Sequence, residues 1–584
     1  MRLADRSAAA RRLARREVWI ANARLAFFVA TGILAWLAFV NRTLTPLAPV
    51  ATLAAFCVLV VVHDRTVRRR RTLERAVDFH EAALARRSDA WIGRGVSGER
   101  FLDRNHPYAV DLDLFGAGSL FERLCVARTR IGERILADWL RAPAPAETIR
   151  SRQPAVEELA SALDLREALA VQGAEGRGRL DPEPLLDWAR GRSAPPPAAL
   201  LWAGRILAVA AVGAAVGYLA GAGGRPLAAI LIAQGLLAAV GMRRVGRILR
   251  STERPDRELG MLSRILGQIE DARFRATHLR RMQESLRTEG LPPSARIARL
   301  ARLMEAQEWS RNLFFAPIAI LLNWNVEIAC GIEAWRKRHG AAVPVWIEAA
   351  GEIEALASLA AMTFEEEEAT FPEVVEPGPC IEGERLGHPL IRNDRCVRND
   401  VRLGDPVRLL VVSGSNMSGK STLLRAIGVN AVLALAGGPV RARRLRISPL
   451  QVGASIRTND SLHDGRSRFY AEILRLRQLV DLASGPESLL FLIDEVLHGT
   501  NSHDRRIGAA AVVRGFVERG GIGLVTTHDL ALSRIVEELH PRARNVHFED
   551  RIEGEEILFD YRLLPGVVER SNALALMRSI GLEI

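Results

Sequence analysis

Two pairs of long apolar runs interrupt the otherwise charged first half of the chain. The first pair is Leu25–Val40 and Leu44–Val62, joined by a short loop that contains Arg42. The second run of this pair has no charged residue over 19 positions, which is enough for a helix to cross a bilayer core of roughly 30 Å. The first run is shorter, and Val18–Ala23 extends it if Arg24 snorkels towards the interface. The pattern predicts a hairpin of two transmembrane helices.

A second apolar pair, Ile206–Ala222 and Pro226–Met242, turns at Gly223–Arg225. Its many glycines and alanines suit close helix packing, although a buried hairpin of a soluble protein is the alternative. Arginines flank the outer ends of both pairs and are nearly missing from the loops, which predicts that these ends lie in the cytoplasm. The flanking arginines are Arg11, Arg12, Arg15, Arg16, Arg65, Arg68–Arg71, Arg190, Arg192, Arg243, Arg244, Arg247 and Arg250.

The rest of the chain changes from a helical pattern to an α/β pattern. In 76–198 and 243–360 apolar residues recur at three- and four-residue steps, and the apolar run Leu313–Ala329, which is too short to span, predicts a core helix. From Val374 onward short β-branched runs alternate with helices. The predicted domains are a membrane hairpin at 1–75, a helical core at 76–198 and 243–371, a second hairpin at 199–242 and a P-loop domain at 372–584.

Composition restricts the class of protein only in part. The net charge is +12 and the isoelectric point is near 10.4, which invites a nucleic-acid partner. The basic residues are almost all arginine, however, with lysine only at Lys337 and Lys420, and many of them flank the apolar runs. Five scattered cysteines without paired spacing argue against a disulfide framework and a zinc site, and they fit a reducing compartment.

The pattern with the clearest chemistry begins where the strand pattern Arg408–Ser413 runs into GSNMSGKST and then into a helix. Strand, glycine-containing loop and helix is the order that a phosphate-binding loop requires. Its glycines let N–H groups point at phosphate oxygens, and the helix N-terminus adds a positive dipole end. We expect Lys420 to bind the β- and γ-phosphates of ATP and Ser421 to bind Mg²⁺. The predicted nucleotide-binding residues are Gly414, Ser415, Asn416, Met417, Ser418, Gly419, Lys420, Ser421 and Thr422.

Two further predicted strands end in candidate catalytic side chains. Leu489–Ile493 is followed by Asp494 and Glu495, and Gly521–Thr527 is followed by His528. We expect Asp494 to hold Mg²⁺ and Glu495 to polarise the attacking water as general base. His528 is expected to hydrogen-bond near the γ-phosphate. The plainer alternatives are an exposed acidic pair and a structural histidine, but together with the loop upstream the motifs predict a Mg²⁺-dependent ATPase.

These motifs resemble the MutS family of DNA mismatch repair ATPases, within the ABC-type ATPase class. The resemblance covers roughly residues 100–200 and 250–580. The matching segments, besides the loop with Asn416 and Met417, are a signature segment at Asn459–Glu472, an acidic motif at Asp494–Asp504, a histidine motif at Thr526–His528, a lead-in at Leu386–Ile391, the start of the helical core at Asp113–Pro143 with Arg152 and Gln153, and the end of the ATPase domain at Ser571–Leu582.

The resemblance implies a composite active site at a dimer interface. ATP binding would close the dimer and move its helical arms. Ser467 of a second subunit would complete a site whose nucleotide is held by Lys420, Ser421, Asp494, Glu495 and His528 of the first.

The sequence also departs from the family pattern. Nothing before residue 76 resembles the mismatch-reading domain, and too few residues lie between Arg243 and Leu313 for the DNA-clamping insertion. The second apolar hairpin sits within the helical core instead. The chain stops at Ile584, so the family's extra dimerisation helices are expected to be missing. The resemblance therefore implies a divergent, membrane-anchored member without the mismatch-reading and clamp domains.

Two functions follow from these features. The first is a MutS-like, mismatch-repair-related ATPase that acts on DNA as a homodimer, anchored in the cytoplasmic membrane with its ATPase domain facing the cytoplasm. Its candidate DNA contacts are the arginine-rich stretches Arg273–Arg287 and Arg296–Arg302, which a solvated helix face explains equally well. The alternative is a membrane-anchored mechanochemical ATPase that acts on a protein or envelope partner without mismatch recognition.

Overall fold

The computed structural model describes residues 2–172, 182–191, 197–221, 223–251, 256–287, 290–310, 312, 315–415, 418–457, 468–497, 501–528, 533–553 and 556–568. The chain divides into two compact units, here called the helical unit and the sheet unit. The helical unit comprises Met1–Ser88, Leu163–Asp271 and Gly290–Val343. The sheet unit comprises Asp89–Ala162, Ala272–Glu289 and Pro344–Ile584. The domain boundaries expected near residues 75, 198, 242 and 371 stay predictions.

The predicted order of a helical N-terminal region followed by a C-terminal α/β region is confirmed. The α-helices of the described residues are α1 (Arg2–Phe39), α2 (Leu47–Arg87), α3 (Leu120–Leu124), α4 (Arg130–Arg141), α5 (Ala146–Ser161), α6 (Leu163–Gln172), α7 (Pro182–Arg190), α8 (Ala198–Leu219), α9 (Arg225–Ser251), α10 (Asp256–Asp271), α11 (Thr277–Ser285), α12 (Pro293–Trp309), α13 (Ala316–Leu321), α14 (Trp324–His339), α15 (Val343–Glu365), α16 (Lys420–Ala436), α17 (Arg468–Leu482), α18 (Ser502–Glu518) and α19 (Ile535–Glu538).

The described residues of the apolar runs in the helical unit lie mostly in helices. The helices α1 and α2 pack against each other, as do α8 and α9. Many of their apolar side chains face outward, for example Trp19 at 71 %, Leu47 at 76 % and Leu219 at 85 % exposure. Three helices, α1, α2 and α8, are long and apolar enough to cross a membrane, whereas the described apolar part of α9, Arg225–Leu237, is shorter. Both membrane hairpins stay predictions.

The prediction of one core helix over Leu313–Ala329 is wrong. The chain forms α13 and α14 instead, and they are separated at Asn323, whose backbone is left-handed with φ 50°. Asparagine tolerates this conformation better than most residues, and its side chain donates a hydrogen bond to the Gly204 carbonyl at 3.0 Å. Ile318 and Ile320 are exposed, so α13 is not part of a core. The first two residues of the predicted helix lie outside the described residues.

The sheet unit contains three sheets. The largest has the strand order β12-β11-β5-β10-β9-β8, in which all neighbours are parallel except β11 and β12. Its three predicted strands are confirmed to within one residue. The strands are β1 (Ala369–Thr370), β2 (Glu373–Val374), β3 (Ile381–Leu386), β4 (Asn399–Leu403), β5 (Leu409–Ser413), β6 (Val440–Arg441), β7 (Arg444–Ile447), β8 (Gln451–Ser455), β9 (Leu489–Ile493), β10 (Ile522–Thr527), β11 (Ala543–Glu553) and β12 (Glu556–Pro565).

The order of the central strands brings three motif-bearing ends to one edge. The strand β10 lies between β5 and β9, with Thr527 opposite Ser413 and Val525 opposite Ile493. Because these strands are parallel and in register, their carboxyl ends meet at the same edge of the sheet. The phosphate loop, the acidic pair and the histidine motif therefore converge there.

The helix α16, which follows the phosphate loop, is packed closely on both sides. Gly428 lies in its middle, and a Cβ atom there would come within 2.6 Å of a Leu112 methyl group and 2.8 Å of a Leu492 methyl group. Both leucines are fully buried. Only a residue without a side chain lets α16 approach β9 and the Leu112 segment this closely.

The lead-in segment before the sheet is held by a buried arginine. Arg441 is 2 % exposed, and its guanidinium donates to backbone carbonyls of this segment, including that of His388 at 2.9 Å. The His388 ring accepts the N–H of Leu390 at its Nδ1 atom, 3.1 Å away. Burial, together with the nearby charges of Arg425 and Arg441, lowers the pKa of His388 to about 4.

We expect Gly428→Ala to destabilise the sheet unit by about 1–3 kcal/mol, because the added methyl group overpacks a rigid site. The matched control is Gly260→Ala in α10, where the nearest atom to a new Cβ is an Arg264 nitrogen at 3.6 Å. The control should leave stability unchanged or raise it slightly. Melting temperatures of the two variants test this, and equal values would contradict the packing argument.

We expect His388 to make the fold sensitive to acid. The unfolded ring takes up a proton near its ordinary pKa of 6.5, whereas the folded ring resists protonation down to about 4. This group therefore leaves the free energy of unfolding unchanged above pH 6.5. As the pH falls from 6.5 to about 4, stability is lost by up to about 1.4 kcal/mol per pH unit. His388→Asn keeps an acceptor near the Nδ1 position. Its melting temperature should fall less steeply than that of the natural chain between these pH values, and parallel curves would refute the assignment.

Candidate active site

The phosphate loop bends through two glycines and encloses a lysine. Gly414 and Gly419 have positive φ angles of 152° and 101°, which favour glycine. A Cβ atom on Gly419 would also come within 3.0 Å of the Tyr561 ring. The Lys420 side chain is 5 % exposed, and its ammonium donates to the carbonyls of Gly414 at 2.9 Å and Ser415 at 2.6 Å. The loop thus holds one positive charge inside its curve, at the N-terminus of α16.

Asp494 ties the loop to the two neighbouring strands. Its carboxylate accepts the Ser421 hydroxyl at 2.5 Å through one oxygen and the Thr526 hydroxyl through the other. Its backbone N–H donates to the Ser455 carbonyl at 2.9 Å. Residues following β5, at the end of β9 and at the end of β10 are therefore joined through a single carboxylate.

Glu495 is fixed through both its backbone and its side chain. Its N–H donates to the Thr526 hydroxyl oxygen at 3.1 Å, and its carboxylate is hydrogen-bonded to His528 Nε2. Both side chains are about one-third exposed, at 29 % and 35 %, so water reaches them. The Glu495 backbone is left-handed at φ 52°, a conformation that is uncommon for glutamate and concentrates at functional sites. Nearby, the buried Glu472 carboxylate of α17 accepts the N–H of Leu497.

The chain leading into the signature segment is held by two aspartates. The Asp111 carboxylate accepts the N–H groups of Ile456 and Arg457, both at 2.7 Å. The Arg457 guanidinium pairs with Asp113 at 2.5 and 3.0 Å. Burial raises the pKa of Asp111, and the two N–H donors oppose that rise. The last residues before position 458 are thus fixed by the N-terminal part of the sheet unit.

The predicted site residues divide into two groups. Asn416, Met417 and Ser467 lie outside the described residues, so their predicted roles are untested. The rest of the loop is described, with the Ser418 hydroxyl donating to the Ser415 carbonyl at 2.9 Å and Thr422 inside α16. The residues that the structure brings together through hydrogen bonds are Ser421, Asp494, Glu495 and His528, with Lys420 immediately before Ser421 in the loop.

The side chains at this edge of the sheet are of the types that bind Mg²⁺ and phosphate. Mg²⁺ prefers oxygen ligands and usually takes one or two carboxylates while keeping several waters. The Ser421 hydroxyl and the Asp494 carboxylate provide such oxygens side by side. The buried Lys420 ammonium and the N-terminus of α16 provide positive charge for phosphates.

Two residues that shape the site have no role of their own in the sequence prediction. Thr526 enters it only as part of the histidine motif, yet its hydroxyl links Asp494 and Glu495. The signal that the sequence offers for this role is a hydroxyl-bearing residue near the end of the strand that precedes His528. Asp111 carries no local signal, because its partners lie more than three hundred positions away in sequence.

Comparison with known proteins places the similarity in this part of the chain. The family model for MutS domain V matches residues 410–583. The DNA mismatch repair protein MutS of Methanosarcina mazei is 32 % identical over 263 residues, which cover 44 % of this chain and 29 % of that protein. Endonuclease MutS2 of Thermus thermophilus is 34 % identical over 199 residues, or 34 % of this chain and 26 % of that protein.

A third relative gives the same picture. The DNA mismatch repair protein MutS of Natronomonas pharaonis is 32 % identical over 237 residues, covering 40 % of this chain and 27 % of that protein. The chain spans less than a third of the length of each of these relatives. The phosphate loop, the acidic pair and the histidine all fall within the family match. The chain is thus similar to the MutS family through its C-terminal α/β domain, where residues 410–583 match MutS domain V.

Proposed function

We propose that the chain is a MutS-like ATPase that works as a homodimer, is anchored in the cytoplasmic membrane with its ATPase domain in the cytoplasm, and acts on DNA. The observation that carries the ATPase part is the hydrogen-bonded chain Ser421–Asp494–Thr526–Glu495–His528 at the carboxyl edge of the sheet. It joins a candidate metal site to a candidate base.

Each side chain has a separate task in the proposed reaction. Lys420 and the loop N–H groups would bind the phosphates of ATP, while Ser421 and Asp494 would hold Mg²⁺. Glu495 would take a proton from the attacking water as the water oxygen bonds to the γ-phosphorus and the bond to ADP breaks. His528 would orient the Glu495 carboxylate, to which it is hydrogen-bonded.

The dimer part rests on the family relationship. Ser467 of the partner subunit would complete the site, and residues 416 and 417 would line it within the subunit. The hydrogen bonds from Ile456 and Arg457 to Asp111 support this proposal, since they fix the chain immediately before the signature segment. The proposal for DNA rests on the names of the relatives and on the net charge of +12.

The second candidate is a membrane-anchored mechanochemical ATPase that acts on a protein or envelope partner. The outward-facing apolar side chains of α1, α2 and α8 favour a membrane task. Both candidates share the same nucleotide site, and they differ in whether DNA changes its turnover.

We expect Glu495→Gln to retain ATP binding and to lower hydrolysis by about 10²-fold or more, because the amide cannot accept the proton of the attacking water. Lys420→Ala should lose ATP binding, since it removes the buried charge of the loop. Equilibrium binding and phosphate release measure the two effects separately. Glu518→Gln, an exposed change at the far end of α18, is the matched control and should behave like the natural chain. Unchanged hydrolysis in Glu495→Gln would refute the base assignment.

We expect duplex DNA to stimulate the ATPase of the full chain in detergent, and the stimulation to weaken steeply as salt rises from about 50 to about 200 mM, because binding to phosphates releases counterions. Homoduplex and single-mismatch DNA should be compared at the same salt concentration. A greater effect of the mismatch would support a repair role. Turnover that is indifferent to both DNAs would sink the DNA proposal and favour the second candidate.

A further inference from the structure

The short helix α13 is fixed beside the second apolar hairpin by polar contacts. Gln234 of α9 donates its side-chain amide to the Leu321 carbonyl at 3.0 Å. Asn323, directly after α13, donates to the Gly204 carbonyl of α8 at 3.0 Å. All of these residues belong to the helical unit. The end of α13 is therefore tied to both helices of the hairpin.

These contacts set the level of α13 along the hairpin. Gly204 lies opposite Leu237, with 3.9 Å between the Leu237 methyl group and the position of a Cβ on Gly204. Gln234 is nearly one turn closer to the hairpin loop than Leu237, inside the apolar stretch of α9. The Leu321 carbonyl therefore lies beside the apolar part of the hairpin. Four residues after Asn323, Glu327 of α14 pairs with Arg205, the residue after Gly204, at 2.7 Å and 3.0 Å. This ion pair marks the polar end of the hairpin.

The outer face of α13 is apolar and uncovered in the helical unit. Ile318 is 47 % and Ile320 is 63 % exposed, whereas Ala319 between them is buried. The residues 315–322 read FAPIAILL and contain no polar side chain. This face continues the exposed apolar surface of the hairpin, which includes Val209 and Ile232.

Aromatic rings gather at the base of α13. Phe315 contacts Trp309 and Trp324 edge-on, with ring centroids 6.2 Å and 5.3 Å apart. The Trp324 indole N–H donates to the Ala306 carbonyl at 2.6 Å. Tryptophan with one polar and one apolar side is enriched where a membrane meets water. The cluster lies where the chain enters α13 and where it returns into α14.

We propose that α13 is a re-entrant element that inserts into the cytoplasmic leaflet of the bilayer beside α8 and α9, with Ile318 and Ile320 against lipid. The inference rests on the proposed membrane anchoring and adds a lipid-contacting segment that does not span. The chain enters the leaflet near Phe315, is deepest in α13 where the Leu321 carbonyl meets Gln234, and returns to the interface at the left-handed Asn323, where α14 begins. The aromatic cluster stays at the interface.

The polar backbone groups at the turn after α13 are hydrogen-bonded within the protein. Non-helical backbone at membrane depth is tolerated only where its polar groups are bonded within the protein. The N–H groups of Leu322 and Asn323 donate to the Ile318 and Ile320 carbonyls at 3.0 Å and 3.1 Å. The Leu321 carbonyl, which would lack a helical partner at this end, accepts from Gln234. The same bond gives the glutamine of an apolar helix an acceptor for its amide group.

Spin-label accessibility tests the proposal on the full chain. The five native cysteines are replaced, and single cysteines are introduced as Ile320→Cys and, as a second position, Ile318→Cys. The controls are Val209→Cys on the exposed face of α8 and Lys337→Cys on the polar end of α14. Each variant is labelled in detergent and reconstituted into vesicles of phosphatidylcholine and phosphatidylglycerol. Collision rates are then measured with oxygen, which concentrates in lipid, and with a water-soluble nickel chelate.

We expect labels at positions 318 and 320 to collide often with oxygen and rarely with nickel, as at Val209→Cys. The ratio of oxygen to nickel collisions should be several-fold higher there than at Lys337→Cys. Frequent nickel collisions at both α13 positions, with Val209→Cys still in lipid, would overturn the re-entrant element and leave the membrane anchor standing. Rare collisions with both reagents would mean that protein, a second copy or another segment, covers α13, and would also overturn it. Frequent nickel collisions at Val209→Cys would overturn the anchoring of this hairpin itself.

Discussion

One carboxylate, that of Asp494, holds the candidate site together. It accepts a hydroxyl from the residue that follows the phosphate-loop lysine and another from the end of β10, so three separate segments share one anion. The parallel register of β5, β10 and β9 makes this arrangement geometrically available. The packing of α16 against β9 then holds the phosphate loop at the level of Asp494, which directly follows β9. One oxygen of Asp494 accepts from Ser421 and the other from Thr526, whose hydroxyl oxygen also accepts the Glu495 N–H. The candidate metal site and the candidate base are therefore connected through one carboxylate.

Local patterns are sufficient to predict the three central strands and the convergence of Ser421, Asp494, Glu495 and His528 at one edge of the sheet. The strands before the phosphate loop, the acidic pair and His528 are predictable because their apolar runs end abruptly in polar motif residues. The break at Asn323 is not, since Asn323, Asn325 and Glu327 are compatible with a continuous helix and the side chain of Asn323 makes its contact with Gly204, more than a hundred positions away. The role of Asp111 is equally hidden, because its hydrogen bonds join segments far apart in sequence.

The two units differ in whether their large apolar side chains are buried or exposed to solvent. In the sheet unit, large apolar side chains such as Phe491 and Phe516 are fully buried, and the charged groups converge at one edge of the sheet. In the helical unit, apolar residues such as Trp202 and Val216 face outward over whole helices. A water-soluble protein rarely exposes apolar surface of this extent. One chain thus combines a domain that matches MutS domain V with helices whose apolar side chains face outward.

The Asp111 hydrogen bonds have a consequence for dividing the protein into parts. A fragment that begins near residue 372, where the sequence changes to an α/β pattern, would contain every candidate nucleotide-binding residue. It would also leave the N–H groups of Ile456 and Arg457 without their acceptor and would uncover the surface of α16 on which Leu112 packs. The sheet unit itself is discontinuous, since it joins Asp89–Ala162 and Ala272–Glu289 to Pro344–Ile584, so a fragment that keeps these contacts has to include residues 89–162 as well as the C-terminal part.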